Sequence, residues 1–351
     1  MRFLPAKEAA AQWNMSLQQV DALCQNGQIP GAYQNNSGWM LPADLPRSKS
    51  LPTSRPLLKP FVKWAGGKNH LLASIRKQYP AGLGSEITRY AEPFVGGGAV
   101  LFDLLSRYSL EEVYINDINP ELIRTYEAIR DHVSSLIEQL SAMQQNYLPL
   151  DSEHRRIYYY QKRERYNALL LEQSSKQKLE KAALFLFLNK TCFNGLYRVN
   201  RKGLFNVPMG DYKAPCICDS ENLLRISQAI QHVTMTCGDY RQAAKFIDAH
   251  TFVYFDPPYR PLSPTANFTS YSEHAFGDQQ QAELARFFAE MAAVGARVLL
   301  SNSDPKNADP DDTFLDDLYQ DFQIHRIQAA RFINSKGSGR GKISELLISN
   351  G

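Results

Sequence analysis

Phe252-Val253-Tyr254-Phe255 is apolar at every position and stops at Asp256-Pro257-Pro258-Tyr259. Proline has no amide hydrogen to give to a neighbouring strand, so two in a row end any central strand and continue it as a stiff loop. A short run that is apolar on both faces belongs to a strand covered on both sides, and such strands alternate with helices along the chain. That alternation is present from Phe61 onward. Arg89 to Phe94 leads into the turn Val95-Gly96-Gly97-Gly98, and an amphipathic helix follows from Ala99 to Ser106. Glu112 to Asn116 reads as a strand ending at Asp117, helical segments fill about 120 to 190, and an irregular polar stretch runs from 191 to 220. After the apolar run, strands at Arg297 to Ser301 and Ser344 to Ser349 complete an α/β sheet.

With 351 residues, 44% of them hydrophobic, the chain can fill one sizeable core and carry a small additional domain. Its longest apolar runs, such as Ala182 to Leu188 and Val294 to Leu300, fall short of the roughly 18–20 residues that span a bilayer, and the N-terminus lacks a signal-peptide pattern, so a soluble cytoplasmic protein is expected. Cys216 and Cys218 have no second pair near them, and five cysteines suit reduced thiols better than a disulfide framework. His154, His232 and His274 lack ligand spacing, so no catalytic metal is expected. The net charge of +3 is unevenly spread: Asp151 to Lys213 holds 13 Lys and Arg against 6 Asp and Glu, interleaved with Tyr158, Tyr159, Tyr160, Tyr166, Phe193 and Tyr197. Such a stretch suits a surface that meets phosphates and stacks on bases, or a solvated helical face.

Residues 1–45 form a unit of their own. Lys7 to Trp13 reads as a helix, Ser16 caps a second from Leu17 to Asn26, and Gly27 stops it. Ile29-Pro30-Gly31-Ala32-Tyr33 and Trp39-Met40-Leu41-Pro42, joined through Asn35-Asn36-Ser37-Gly38, read as two short strands making a wing. This pattern resembles the winged helix-turn-helix of the excisionase and MerR-type families. The segment bears only two basic residues, Arg2 and Lys7, and a capping subdomain that touches no DNA is the other reading. Residues 46–59, with Pro46, Pro52 and Pro56, read as a linker.

A glycine-rich turn after a strand lets the backbone approach a ligand, and an acidic residue at the end of the next strand can take ribose hydroxyls. Phe94, Gly96, Gly98 and Asp117 satisfy that arrangement. It differs from the dinucleotide-binding Gly-x-Gly-x-x-Gly, because position 101 is Leu101. In the Asp256-Pro257-Pro258-Tyr259 loop, the Asp256 carboxylate and the Pro257 carbonyl can accept both hydrogens of an exocyclic amine whose lone pair is delocalised into its ring. That draws the nitrogen toward tetrahedral geometry, while Pro257 and Pro258 hold the acceptors in place and Tyr259 offers a flat face to an extruded base.

Eight blocks, in order, resemble the Dam family of DNA adenine-N6 methyltransferases, in particular the GATC-modifying enzymes of restriction systems. They are Pro60-Phe61-Val62-Lys63-Trp64-Ala65-Gly66-Gly67-Lys68, Glu92 to Gly98, Ile115-Asn116-Asp117, Phe193 to Asn200, Phe205-Asn206-Val207-Pro208, Gly238-Asp239-Tyr240, Asp256 to Tyr259, and Gly339 to Glu345. The resemblance covers about 60 to 350. It implies a Rossmann-like methyltransferase sheet from 60–120 and 230–351, with a mainly helical target-recognition domain inserted over 121–229, the arrangement of the alpha group. It also implies S-adenosylmethionine as methyl donor, with Trp64, Lys68, Asp117 and Asp256 lining its site and Asp239 and Tyr240 near its adenine ring. Double-stranded DNA is the implied partner: Arg198 matches an arginine that reads guanine, Lys63 a lysine on the first guanine of GATC, and Phe193 an aromatic that enters the base stack. Asn194, Asn206, Pro208 and Tyr212 complete that face. A cognate restriction endonuclease acting on the same site is left open, and no stable protein partner is implied. Cytosine-N4 enzymes typically carry Ser where this chain has Asp256. An RNA adenine methyltransferase would use a related loop, but the 193–208 blocks point to duplex DNA. A winged-helix regulator with an inactive methyltransferase domain is disfavoured by the presence of all four donor-site residues. The family usually begins close to the Phe-x-Lys-Trp block, so residues 1–45 are a departure from it.

Overall fold

The computed structural model describes residues 3–13, 17, 20–21, 24, 32–35, 38–42, 57–172, 177–260, 276–330 and 342–351. They divide into two compact units, one ending at Leu57 and the other beginning at Leu58. In the first, strands β1 (Phe3–Pro5), β2 (Tyr33–Asn35) and β3 (Gly38–Pro42) form an antiparallel sheet with β3 in the middle. Helix α1 (Ala6–Trp13) buries Ala6, Ala9 and Ala10 with Leu41, Val20 and Cys24. Small residues one turn apart bring this helix close to the strands, which explains how so short a segment acquires a core. Two short strands were expected at Ile29 to Tyr33 and Trp39 to Pro42; β3 covers the second, β2 starts only at Tyr33, where the first was expected to end, and β1, three residues long, carried no alternation to announce it. Of the expected second helix only Leu17, Val20, Asp21 and Cys24 are among the described residues, all four helical. Gly27, Ile29 to Gly31 and most of the 46–59 linker lie outside them.

The second unit is built on seven strands: β4 (Arg89–Glu92), β5 (Glu112–Asp117), β6 (Val233–Cys237), β7 (Thr251–Phe255), β8 (Arg297–Ser303), β9 (Gln323–Ala330) and β10 (Lys342–Ser349). Their spatial order is β6-β5-β4-β7-β8-β10-β9. Neighbours from β6 to β8 are parallel, and β10 runs antiparallel to β8 and β9. The architecture is therefore α/β with a mostly parallel sheet. From β4 the chain first winds outward through β5 and β6, then returns to β7 on the other side of β4. At such a reversal the loops leaving two adjacent strands diverge and open a crevice at their carboxyl ends. β6 and β9 were not anticipated from sequence. Both lie at sheet edges, and β6, with a partly exposed Thr234-Met235-Thr236-Cys237, lacks the apolar run that marked β7.

Side-chain alternation in β7 divides the interior. Phe252 and Tyr254 face one core with Tyr90, Val113, Ile115 and Leu299, while Val253 and Phe255 face the other with Ala91, Val298 and Leu300. The first face is covered by α2 (Leu72–Ile75), α3 (Ala99–Arg107), α4 (Pro120–Tyr147), α5 (Ser152–Glu172), α6 (Lys178–Thr191) and α7 (Ser220–Ala229). The second is covered by α8 (Asp278–Ala293) and α9 (Phe314–Leu318). Helix α4 starts where Asn119 Oδ1 accepts the Glu121 and Leu122 amides and Pro120 fills the first turn, which needs no amide hydrogen there. Tyr159, Tyr166 and Phe187 of α5 and α6 belong to the same buried cluster as the sheet residues, so the helical stretch 121–229 shares its core with the strands it follows. Among the described residues no helix is long and apolar enough to cross a membrane, and no group of three or more His, Cys, Asp or Glu side chains could hold a metal ion.

Candidate active site

At the carboxyl ends of β4 and β7, where the strand order reverses and a crevice is expected, the chain leaving β4 makes a tight turn. Gly96 and Gly98 take φ of +48° and +72°, and Gly98 stands at the head of α3. A Cβ on Gly96 would lie 2.9 Å from Cδ1 of Trp64, and one on Gly98 would lie 2.5 Å from the Tyr126 hydroxyl oxygen, so the turn is closed to any larger residue. Asp117, at the end of β5, accepts the Gly96 amide on Oδ2 at 3.0 Å and the Asn119 amide on Oδ1 at 2.9 Å. Burial raises its carboxyl to about 6 in spite of those amides, which favour the charged form.

Beneath the turn, buried Asn116 ties three strand ends together. Its Nδ2 donates to the carbonyls of Pro93 and Gly238, at 3.1 and 2.9 Å, and its Oδ1 accepts from Thr236 Oγ1. Asp239 and Tyr240 follow at once. The Tyr240 ring stacks on Phe94 with centroids 5.2 Å apart, while the Asp239 carboxylate caps the turn that begins there and pairs with Arg241, whose guanidinium holds it below the usual carboxylate range. Trp64 stacks on Tyr197 at 5.9 Å and so links the turn to the helical side.

Across the crevice, Asp256 leaves the end of β7. Lys68 Nζ lies 2.6 Å from Asp256 Oδ1 and also donates to the Gly66 carbonyl, although Lys68 is only 4% exposed. Ser301 Oγ donates to the same Oδ1 at 3.0 Å and shares a hydrogen bond with the Tyr254 hydroxyl. Burial raises the Asp256 carboxyl, and Lys68 and then Ser301 oppose that shift. Glu92, at the end of β4, lies buried beside this pair and accepts the Tyr90 hydroxyl at 2.8 Å; burial holds its carboxyl well above the usual range. The loop itself is anchored from α8, where Gln281 Nε2 donates to the Pro258 carbonyl at 3.1 Å and Asn302 Nδ2 donates to Gln281 Oε1. Ser301, Gln281 and Asn302 were missed from sequence, since a polar residue in an apolar strand or helix says that it has a partner without saying which.

The remaining candidates gather on one exposed face. Lys63 Nζ sits 4.0 Å over the Tyr212 ring, Arg198 Nε donates to Asn206 Oδ1 at 2.8 Å, and the Phe193 amide donates to the Pro208 carbonyl at 2.9 Å. Phe193 is 51% exposed, so it is no core residue. Asn194 and Gly195 turn sharply at φ +54° and +64°, and a Cβ on Gly195 would lie 2.4 Å from the Lys63 Cβ. Buried Asn189 holds the two segments together, accepting the Lys63 amide and donating to the Lys63 and Gly195 carbonyls. Its signal was present as the first polar residue after Phe185-Leu186-Phe187-Leu188.

A mostly parallel sheet with a glycine turn and a paired carboxylate at its switch point places the chain among the α/β folds that carry their sites at the carboxyl ends of the strands. Comparison with known proteins narrows the class. Residues 64–333 match the model of the D12 class N6 adenine-specific DNA methyltransferases. The chain is 45% identical over 295 residues to the Type II methyltransferase M.MjaIII of Methanocaldococcus jannaschii, covering 84% of this chain and 99% of that one. It is 38% identical to M1.LlaDCHI of Lactococcus lactis, over 84% and 95% of the two chains, and 36% identical to the DNA adenine methylase of Escherichia coli, over 82% and 93%. The chain belongs to the D12 class of N6 adenine-specific DNA methyltransferases, and it is an adenine-specific DNA methyltransferase.

Proposed function

We propose that this enzyme takes a methyl group from S-adenosylmethionine and places it on N6 of an adenine turned out of duplex DNA, within the sequence GATC. The observation that carries the reading is the state of Asp256: both of its described bonds fall on Oδ1, where Lys68 and Ser301 hold it, which leaves Oδ2 for a target amine. Gln281 occupies the Pro258 carbonyl, so the second acceptor is the carbonyl of Pro257. Two acceptors fixed in advance need no reorganisation when the amine arrives, and this is the main source of rate in such sites.

The residues of the crevice fit a nucleoside sulfonium. The turn at Gly96 and Gly98 has no room for side chains, the Asp117 carboxylate beside it suits ribose hydroxyls, and the stacked Phe94 and Tyr240 suit a base. When bound, S-adenosylmethionine supplies an electrophilic methyl carbon on a positively charged sulfur. Phe193, Asn194, Arg198, Asn206, Pro208, Tyr212 and Lys63 form the DNA face. Exposed Phe193 suits insertion into a base stack, and an arginine fork suits the O6 and N7 of guanine. Relatives named Type II methyltransferases support a restriction-modification setting.

The test is transfer from labelled S-adenosylmethionine to unmethylated plasmid, with modified positions mapped by single-molecule sequencing. N6-methyladenine confined to GATC is expected, and modification at another motif would discard the GATC assignment. Arg198→Ala should relax preference at one guanine by about 1–3 kcal/mol of discrimination. Competition between GATC and single-substituted sites measures this, and unchanged discrimination would remove Arg198 as a reader.

Asp117 brings a pH dependence. Its carboxyl is raised to about 6 in the free protein, so its contribution to folding is present below the unfolded value near 3.8 and is lost as the pH rises through about 6. Donor binding runs the opposite way, since accepting two hydroxyls favours the carboxylate. Affinity for S-adenosylmethionine measured by calorimetry should fall as the pH is lowered from about 7.5 to about 5, and Asp117→Asn should flatten the curve. A wild-type affinity indifferent to pH over that interval would remove Asp117 from the donor site.

A further inference from the structure

The Tyr259 ring is held from behind by a residue that the chemistry above does not use. Its hydroxyl donates to Oε2 of Glu345 at 2.8 Å, and His70 Nε2 stands 3.4 Å from Oε1 of the same carboxyl. Glu345 is 6% exposed and lies on β10 opposite Ser303 of β8. Because β10 runs against its neighbours, its first residues reach the end of the sheet at which the parallel strands finish. A residue near the C-terminus is thereby brought beneath the catalytic loop, in a cluster with His70 and with Lys68, whose Nζ lies 4.6 Å from the Tyr259 ring centre.

Burying a carboxyl group costs several kcal/mol unless it is well bonded. A phenylalanine packed against apolar neighbours would present a flat ring without that cost. What the pair Glu345–Tyr259 adds is orientation and electron density. An aromatic face attracts a cation through its quadrupole, and a phenol that donates to a carboxylate has a more electron-rich face. During methyl transfer the nitrogen lone pair forms the bond to carbon, the carbon–sulfur pair departs with sulfur, and positive charge passes from sulfur to the amino group of the base. An interaction that strengthens as this charge arrives accelerates the step, whereas one equally strong beforehand does not.

We infer that Glu345 is a positioning residue for methyl transfer, which fixes the plane of Tyr259 and enriches the ring face turned to the adenine as that base becomes positively charged. The inference rests on the reading of Tyr259 as the platform for the flipped base.

The test is single-turnover methyl transfer by the full-length protein, its Glu345→Gln and Tyr259→Phe variants, and the double variant. Gln keeps an acceptor oxygen in the same place and removes the charge; Phe keeps the ring and removes the donor. Each single change should slow transfer by about tenfold to a hundredfold, the span of a directly coupled pair, with KM for DNA and for the donor within about twofold of wild type. The double variant should be no slower than the slower single. Wild-type speed in Glu345→Gln would overturn the inference, and so would a Glu345→Gln change that slows transfer by the same factor in the Tyr259→Phe background as in the wild-type one. Should Glu345→Gln fail to fold, Tyr259→Phe decides alone, since an undiminished rate there leaves the hydrogen bond without a role. Absence of transfer by the wild-type protein would instead refute the proposed donor or substrate.

Discussion

Asp256→Ala is expected to reduce methyl transfer by more than about a thousandfold, or about 4 kcal/mol of transition-state stabilisation, while duplex binding survives. The carboxylate stands at the end of β7, its Oδ1 fixed by Lys68 and Ser301, which leaves Oδ2 for the proposed target. Alanine removes the acceptor and leaves the proposed DNA face around Lys63, Arg198 and Phe193 untouched. It also leaves the Lys68 ammonium, 4% exposed, without its partner, and breaking one side of a buried pair commonly costs about 3–5 kcal/mol. A lower melting temperature should therefore accompany the lost activity. Labelled methyl transfer beside a gel-shift titration separates the two effects, and a variant that still turns over would remove Asp256 from the chemistry.

Gly98→Ala should destabilise the protein by roughly 2–4 kcal/mol, from the left-handed backbone together with overpacking. At φ +72° an L side chain is strained, and the new Cβ would come within 2.5 Å of the Tyr126 hydroxyl oxygen and 2.9 Å of the Phe102 ring. Both neighbours are fully buried and cannot step aside cheaply. The turn that carries Gly96 would be displaced with it, so donor affinity should fall with stability. Urea titration measures the first loss and calorimetry the second. An alanine variant with wild-type midpoint would show that the turn has slack which the packing around Tyr126 and Phe102 denies.

The parts of the site legible in sequence were those in which chemistry and backbone constraint coincide. Two prolines after an apolar strand restrict the loop wherever it sits, and glycines before a helix head admit few conformations, so the Asp256 loop and the Gly96–Gly98 turn could be placed without coordinates. The helices over 120–190 announced themselves by length. Edge strands β6 and β9 did not, because a half-exposed strand, five residues long in β6 and eight in β9, resembles a polar loop until a neighbour pairs with it.

Supporting residues were hidden for a related reason. Gln281, Ser301, Asn302 and Asn189 are ordinary polar residues whose significance depends on a partner between 6 and 126 positions away. Glu345 stood inside a recognisable block with no role attached, and only the reversal of β10 brings it under Tyr259.

By itself the sequence determined the class of sheet, the order of its main elements and the rigid acceptor loop, since each follows from local sterics, periodicity or the chemistry of a single side chain, whereas the candidate donor-site and reading residues came from the resemblance to the Dam family. Tertiary structure alone decided that β4 and β7 lie side by side, that Lys68 neutralises Asp256, that Lys63 and Tyr212 meet across about 150 residues of chain, and that the last strand closes the site from below. These are pairings between distant segments, and their selection depends on which arrangement buries the apolar faces while leaving no interior polar group without a partner.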